Sequence, residues 1–367
     1  MKQRNSPAMT RRSFIAQAAR AAAVAAAGGG VSVAKPVLGE VKPALYSVTY
    51  LGLWYLGDAL TLEQLLERAK RFGYQGIEIE AKRPHGFPLD WPAKRCEEFR
   101  KRVADTGLAI SGVAAMNDFS SPIAEHREAQ LANVRDAIRM TADLGARVLR
   151  VFLAWPGAHR TPEGGGRYDI AQKIWDATHE GIPETQIWSW CRECLVEAAR
   201  MAGDHGVTLA LQNHKPVIKT YHDVLRMVRE VGSPHLKVCL DAPIMENKEA
   251  EYLRKAVSDV GGLQIQSHFG GEYERKTPGG PILRPIVQSQ WGAPYARKGY
   301  FQDNFYLPFI QALLETGYKG YIGYELCHTL PVVNGKTVGI DFVDSNARLA
   351  LEFIRETIAE AKRRLVS

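Results

Sequence analysis

Four stretches of this 367-residue chain end in side chains that bind cations or move protons. "LALQNHKP" carries Gln212 and His214, "VCLDAP" carries Asp241, "IQSHFGG" carries His268 and "IGYELCH" carries Glu325. Each follows a short apolar run of the kind that forms a buried strand. Gln212 and His214 are two apart, so in an extended strand they project to one side while Asn213 points away. Carboxylate, carbonyl and imidazole donors gathered at one point suit a divalent cation, Mn²⁺ first, with Mg²⁺, Co²⁺ or Zn²⁺ as alternatives. Such an ion polarises a substrate oxygen and acidifies the neighbouring C–H or O–H. His214, titrating near neutrality, is the first candidate to move that proton, and Glu325 the second. Singly, Asp241 reads as a cap, His268 as a core histidine and Glu325 as a salt-bridge partner. Four successive strand ends with the same character argue instead for a shared site.

Convergence requires a particular scaffold. Apolar runs at 45–51, 76–80, 108–116, 147–154, 207–212, 236–240, 263–267 and 320–324 alternate with amphipathic segments, among them 61–72, 123–144 and a last helix from about 344 to 365. Thr61 before Glu63 and Gln64, and Pro122 after Ser121, mark helix starts. Glycines in "FGYQG", "TGLA", "LGAR", "HGVT" and "TGYKG" mark the stops. Parallel strands need helical crossovers, and eight such units fit a (β/α)8 TIM barrel, an α/β fold with strand C-termini converging on one mouth. No G-x-G-x-x-G or P-loop supports an open doubly wound sheet. The surplus length lies in long loops after strands 4 and 7, 155–185 and 269–302, which a barrel places at that mouth. Glu80 and His85 after the second strand, His159 in the first long loop, and the aromatics Trp54, Trp155 and Trp291 are candidates to bind a substrate's polar groups or stack on its apolar face.

The N-terminus reads as a separate unit. Thr10-Arg11-Arg12-Ser13-Phe14-Ile15 is a twin-arginine pattern before an alanine-rich run, with small residues at Ser32-Val33-Ala34. This divides the chain into a twin-arginine signal peptide at 1–34, a linker at 35–44 and one barrel domain at 45–367, exported to the periplasm or its equivalent. The formal charge is +7, and residues 1–34 hold five basic residues and no acid, which leaves 42 basic against 40 acidic in the rest. A body so near neutrality gives no electrostatic case for nucleic acid or a membrane surface as partner. Cys96, Cys191, Cys194, Cys239 and Cys327 are too scattered for a disulfide framework, and Cys191 and Cys194 read as helix packing.

The motifs "LALQNHKP", "LDAP", "QSHFGG" and "GYIGYELCH", with "GYQGIEIE" and "LGARVLRVF" upstream, resemble the xylose isomerase-like TIM barrels, the sugar phosphate isomerase/epimerase superfamily. The resemblance runs from about Tyr46 to the final helix. It implies that Gln212, Asp241, His268 and Glu325 are four ligands of one divalent metal ion. It also implies isomerase or epimerase chemistry on a keto-sugar or polyol derivative through a metal-stabilised enediolate, with a lyase or dehydratase as a variant. Dimers are common in that superfamily, although nothing in the sequence marks an interface for a homodimer or higher homo-oligomer. Two positions depart from the pattern. Gln212 stands where the family commonly has the glutamate that pairs with the one matching Glu325 across the substrate, and an amide cannot shuttle a proton. Ile244 stands where a histidine is frequent. The departures favour one-base or elimination chemistry, and leave a non-catalytic sugar-binding protein as the alternative.

Overall fold

The computed structural model describes residues 38–287, 297–300 and 304–367. The leader reading of 1–34 and the Trp291 reading lie outside the described residues. Eight parallel strands close into a barrel: β1 (Glu40–Tyr46), β2 (Gly76–Glu80), β3 (Ala109–Ala114), β4 (Val148–Val151), β5 (Thr208–Gln212), β6 (Leu236–Cys239), β7 (Gln264–Gly270) and β8 (Lys319–Glu325). Strand order follows the chain, and β8 closes on β1 with Leu45 opposite Tyr324. β1 therefore begins inside the segment expected to be a linker, five residues before the expected start of the domain.

The helices are α1 (Leu62–Phe72), α2 (Ala93–Asp105), α3 (Ala124–Asp143), α4 (Asp169–His179), α5 (Glu184–Asp204), α6 (Tyr221–Val231), α7 (Ala250–Val260), α8 (Tyr306–Glu315) and α9 (Ile340–Val366). α1 shows why they form where they do. Thr61 and Gln64 make a reciprocal capping box, Leu62, Leu65, Leu66 and Ala69 form one buried stripe, and Gly73 ends the helix at φ 97°. Among the described residues no helix is long and apolar enough to cross a membrane.

Alternation along the strands separates two environments. Ile77, Ile79, Leu149, Val151, Leu209, Leu211 and Val238 are fully buried in the apolar core. The intervening positions Tyr46, Glu78, Glu80, Arg150, Gln212 and His268 are also buried, but their polar groups bond to one another across the barrel. The period of two thus puts an oily layer outside the barrel wall and a charged one within it.

The long loops are partly ordered. The first holds a two-stranded ribbon, His159–Arg160 against Gly166–Arg167, followed by α4. Gly166 packs directly against Trp54, because a Cβ there would sit 2.4 Å from the indole, so the ribbon can approach that ring only with a glycine. The second pairs Glu274–Arg275 with Ile282–Leu283, and Pro285–Val287 with Arg297–Tyr300.

Candidate active site

A cavity of about 290 Å³ opens where the strand C-termini converge, lined by Tyr46, Glu80, Arg150, Gln212, His214 and Glu325 among others. Its floor is an ionic network. The Arg150 guanidinium, 3% exposed, donates to Gln212 Oε1 at 2.6 Å and to the Tyr46 hydroxyl at 2.5 Å, and its Nε lies 3.4 Å from Glu78 Oε1. Tyr46 in turn donates to Glu80 Oε2. On the other side of the floor, Gln212 Nε2 donates to Asp241 Oδ2, and His268 bridges Asp241 Oδ2 at 3.0 Å and Glu78 Oε2 at 2.6 Å. Gly323 on β8 makes that bridge possible, since a Cβ there would come within 2.8 Å of His268 Cδ2 and 3.1 Å of Glu78 Oε2.

The protonation states follow from burial and neighbours. Burial alone would lower the His268 pKa, but the carboxylates of Glu78 and Asp241 outweigh it and hold the imidazole well above its ordinary value. Burial opposes ionisation of Asp241 too, yet His268 and the Gln212 amide keep it below the usual carboxylate range. Glu325 has no comparable partner. Its carboxylate is buried and makes no hydrogen bond among the described residues, and burial, only partly offset by His268 and Arg150, raises it to about 7. Glu80 is raised by burial as well, against the Tyr46 hydrogen bond.

The sequence-derived candidates divide into three groups. Gln212, Asp241 and His268 meet, and Glu325 stands close enough to feel His268 and Asp241. Asn213 leaves the cavity as expected: its side chain accepts from Asp241 N at 2.8 Å and donates to the Asp241 carbonyl at 3.3 Å, tying β5 to β6. His214 lines the cavity edge-on to Phe152 and Trp155. Its Nδ1 faces the Lys215 carbonyl at 2.5 Å and so carries the proton, leaving Nε2 bare. Burial pushes His214 down to about 4, so at neutral pH it is an uncharged acceptor and a weak base. Trp54, Trp155 and Glu80 line the cavity.

His85 and His159 are not among the lining residues. The His85 ring is 1% exposed and donates from Nε2 to the Leu60 carbonyl at 2.9 Å, fastening the loop after β2 to the start of α1. His159 lies in the ribbon, 3.7 Å from Asp169. Their places reflect loop geometry, which strand periodicity does not reach.

The donor chemistry fits a cation. Cys239, Asp241 and His268 place three buried ligand atoms within 4.8 Å of one another, and the acids Glu78, Asp241 and Glu325 gather around them on the cavity floor. Gln212 fits a ligand role least well. Arg150 occupies its carbonyl oxygen, and the amide face turned to Asp241 is therefore the donor.

The family described as xylose isomerase-like TIM barrel matches residues 66–357. The chain belongs to this family. No curated protein matches it. Among solved structures, D-psicose 3-epimerase from Clostridium cellulolyticum H10 with D-tagatose aligns with a TM-score of 0.59 and 18% identity, over 87% of this chain and 99% of that one. An L-ribulose 3-epimerase aligns at 0.59 and 18%, over 89% and 98%. The 3-keto-D-glucoside 4-epimerase of E. coli aligns at 0.56 and 17%, over 85% and 100%. At such identities the likeness is one of fold. Within this xylose isomerase-like barrel, the site residues that strand-end reading passed over are Tyr46, Glu78 and Arg150.

Proposed function

We propose that the protein is an exported, metal-dependent sugar isomerase or epimerase that acts on a keto-sugar or polyol derivative through an enediolate. The observation that carries the reading is Glu325: a buried carboxylate on the cavity wall, without a hydrogen-bond partner among the described residues, is placed to take a proton from carbon and return it. The cavity suits a sugar. Trp54, Phe152, Trp155 and Tyr168 supply apolar faces, while Glu80, Gln212 and His214 supply acceptors and donors for hydroxyls. Family membership, and the epimerases among the neighbours of similar fold, support the same class. Asp241, and His268 once it gives up a ring proton, would hold the divalent cation with Glu325 at its edge, and the cation when bound supplies positive charge that polarises a substrate carbonyl.

Within this chain Arg150 brings a permanent positive charge to the cavity floor, where it attracts the developing oxyanion of an enediolate. Neutral His214 accepts a hydrogen bond from a substrate hydroxyl through Nε2. A second reading, a sugar-binding protein on an enzyme scaffold, draws on Gln212 and its engagement by Arg150. Incubation in D₂O with Mn²⁺ and the probes D-fructose, D-psicose, D-tagatose and L-ribulose, followed by NMR, separates the two. We expect solvent deuterium in at least one probe, and about a 100-fold loss of exchange in Glu325→Gln for the probe whose proton Glu325 removes. Sugar binding without exchange, or bound metal undiminished in Asp241→Ala, would sink the enzymatic proposal.

A further inference from the structure

Gln212 removes a proton-transfer group from β5, and another strand carries a replacement. Glu80 ends β2 and Glu325 ends β8, the two strands that flank β1 in the barrel. Backbones two strands apart stand about 9–10 Å from each other, so the two carboxylates enter the cavity from separate points of its wall. Both carboxylates line the cavity. Tyr46, at the end of the strand between them, donates its hydroxyl to Glu80 Oε2 and receives a hydrogen bond from Arg150. Tyr46 engages Glu80 Oε2 and no hydrogen bond to Oε1 is found among the described residues, so that oxygen is left to a ligand in the cavity. Ser47 Oγ accepts from the Glu80 backbone N–H at 2.8 Å and fixes the strand end that carries it. The charged groups nearby are Glu78 on the same strand, Lys82 just beyond it and Arg150 on β4.

We propose that Glu80 is the second catalytic acid/base, paired with Glu325 across the substrate in place of the carboxylate that β5 lacks. The inference rests on the enediolate reading above. In one direction Glu325 takes the proton from the carbon beside the carbonyl, and the C–H electron pair becomes the enediolate π bond while the carbonyl oxygen takes the negative charge. Glu80, bearing its proton on Oε1, then delivers it to the other face of that carbon. The carbonyl re-forms, Glu80 is left as a carboxylate, and the two acids re-equilibrate their protons with water. In the reverse direction the roles exchange.

The roles leave an asymmetric signature. With the full-length protein in D₂O and D-fructose and D-psicose as the two probe epimers, wild type washes deuterium into C3 of both and interconverts them. Glu80→Gln should slow interconversion about 100-fold or more while one epimer still exchanges C3 without inversion. Glu325→Gln should preserve exchange in the other epimer only. Equal loss from both epimers in Glu80→Gln assigns Glu80 a structural role and overturns the proposal, as does unchanged interconversion. Interconversion slowed in Glu80→Gln, with exchange kept in one epimer, and restored in Glu80→Asp, whose carboxylate is shorter, would support it. Absence of exchange in wild type with every probe removes the enediolate reading and this inference with it.

Discussion

The His85 ring should make the folded state sensitive to acid in a window set by its burial. It is 1% exposed, its Nε2–H is committed to the Leu60 carbonyl, and its Nδ1 is buried without a partner among the described residues. A second ring proton would therefore point into unsolvated space, and burial lowers the folded-state pKa from 6.5 to about 4. As pH falls below 6.5 the unfolded chain takes up a proton that the native ring refuses, so stability declines until the folded pKa is reached. About 2.5 units at 1.36 kcal/mol each give a loss on the order of 3 kcal/mol between pH 6.5 and 4, with little further contribution below. His214 is depressed to a similar value and adds to the same decline, so the variant must isolate one ring. His85→Gln keeps an N–H donor for Leu60 and cannot titrate. Urea unfolding of both proteins from pH 7.5 to 4 should show a shallower acid decline in the variant, the two curves differing in slope by up to about 1.4 kcal/mol per pH unit. Parallel curves would refute the argument, because they would mean that the buried Nδ1 is solvated or that another group accepts its proton.

Two further outcomes follow from the floor of the site. Arg150→Met strands Glu78 and Gln212 in the barrel interior and should cost about 3–5 kcal/mol in chemical denaturation; a loss under about 1 kcal/mol would show that the guanidinium is not the principal counter-charge there. Gly323→Ala forces a methyl against His268 and Glu78 and should destabilise by about 1–3 kcal/mol, with neutral behaviour showing that the bridge has slack.

The barrel was legible because apolar runs and glycine stops report backbone periodicity directly, and strands β2 to β8 lie where those runs fall. β1 is the exception: the apolar run at 45–51 is mostly the 3-10 turn Ser47–Tyr50 after the strand, which is buried for packing rather than pairing. The strand proper, Glu40–Tyr46, carries Lys42 and Pro43 and reads as a linker. In the same way His85 and His159 looked like site residues because histidines in loops near strand ends carry no signal of where the ring turns. The hydrogen bond to Leu60 that removes His85 from the cavity joins residues 25 apart and has no local trace.

Tyr46, Glu78 and Arg150 are a different case, since the rule that paired Gln212 with His214 also reaches them. Glu78 stands two before Glu80, and Arg150 two before Phe152, each a charge inside an otherwise apolar strand. A charge at the inward parity of a buried strand must find its counter-charge across the barrel, because leaving it unpaired costs several kcal/mol. Glu78 and Arg150 satisfy that demand with each other, Glu78 also bonding His268 and Arg150 also bonding Gln212. The same pairing explains the amide on β5. A carboxylate at 212 would form an ion pair with Arg150 and be held as a poor base, whereas an amide lets Arg150 and Asp241 be served by one neutral side chain, oxygen to one and nitrogen to the other. Proton transfer then has to come from carboxylates that Arg150 does not grip directly, and among the cavity-lining acids those are Glu80 and Glu325.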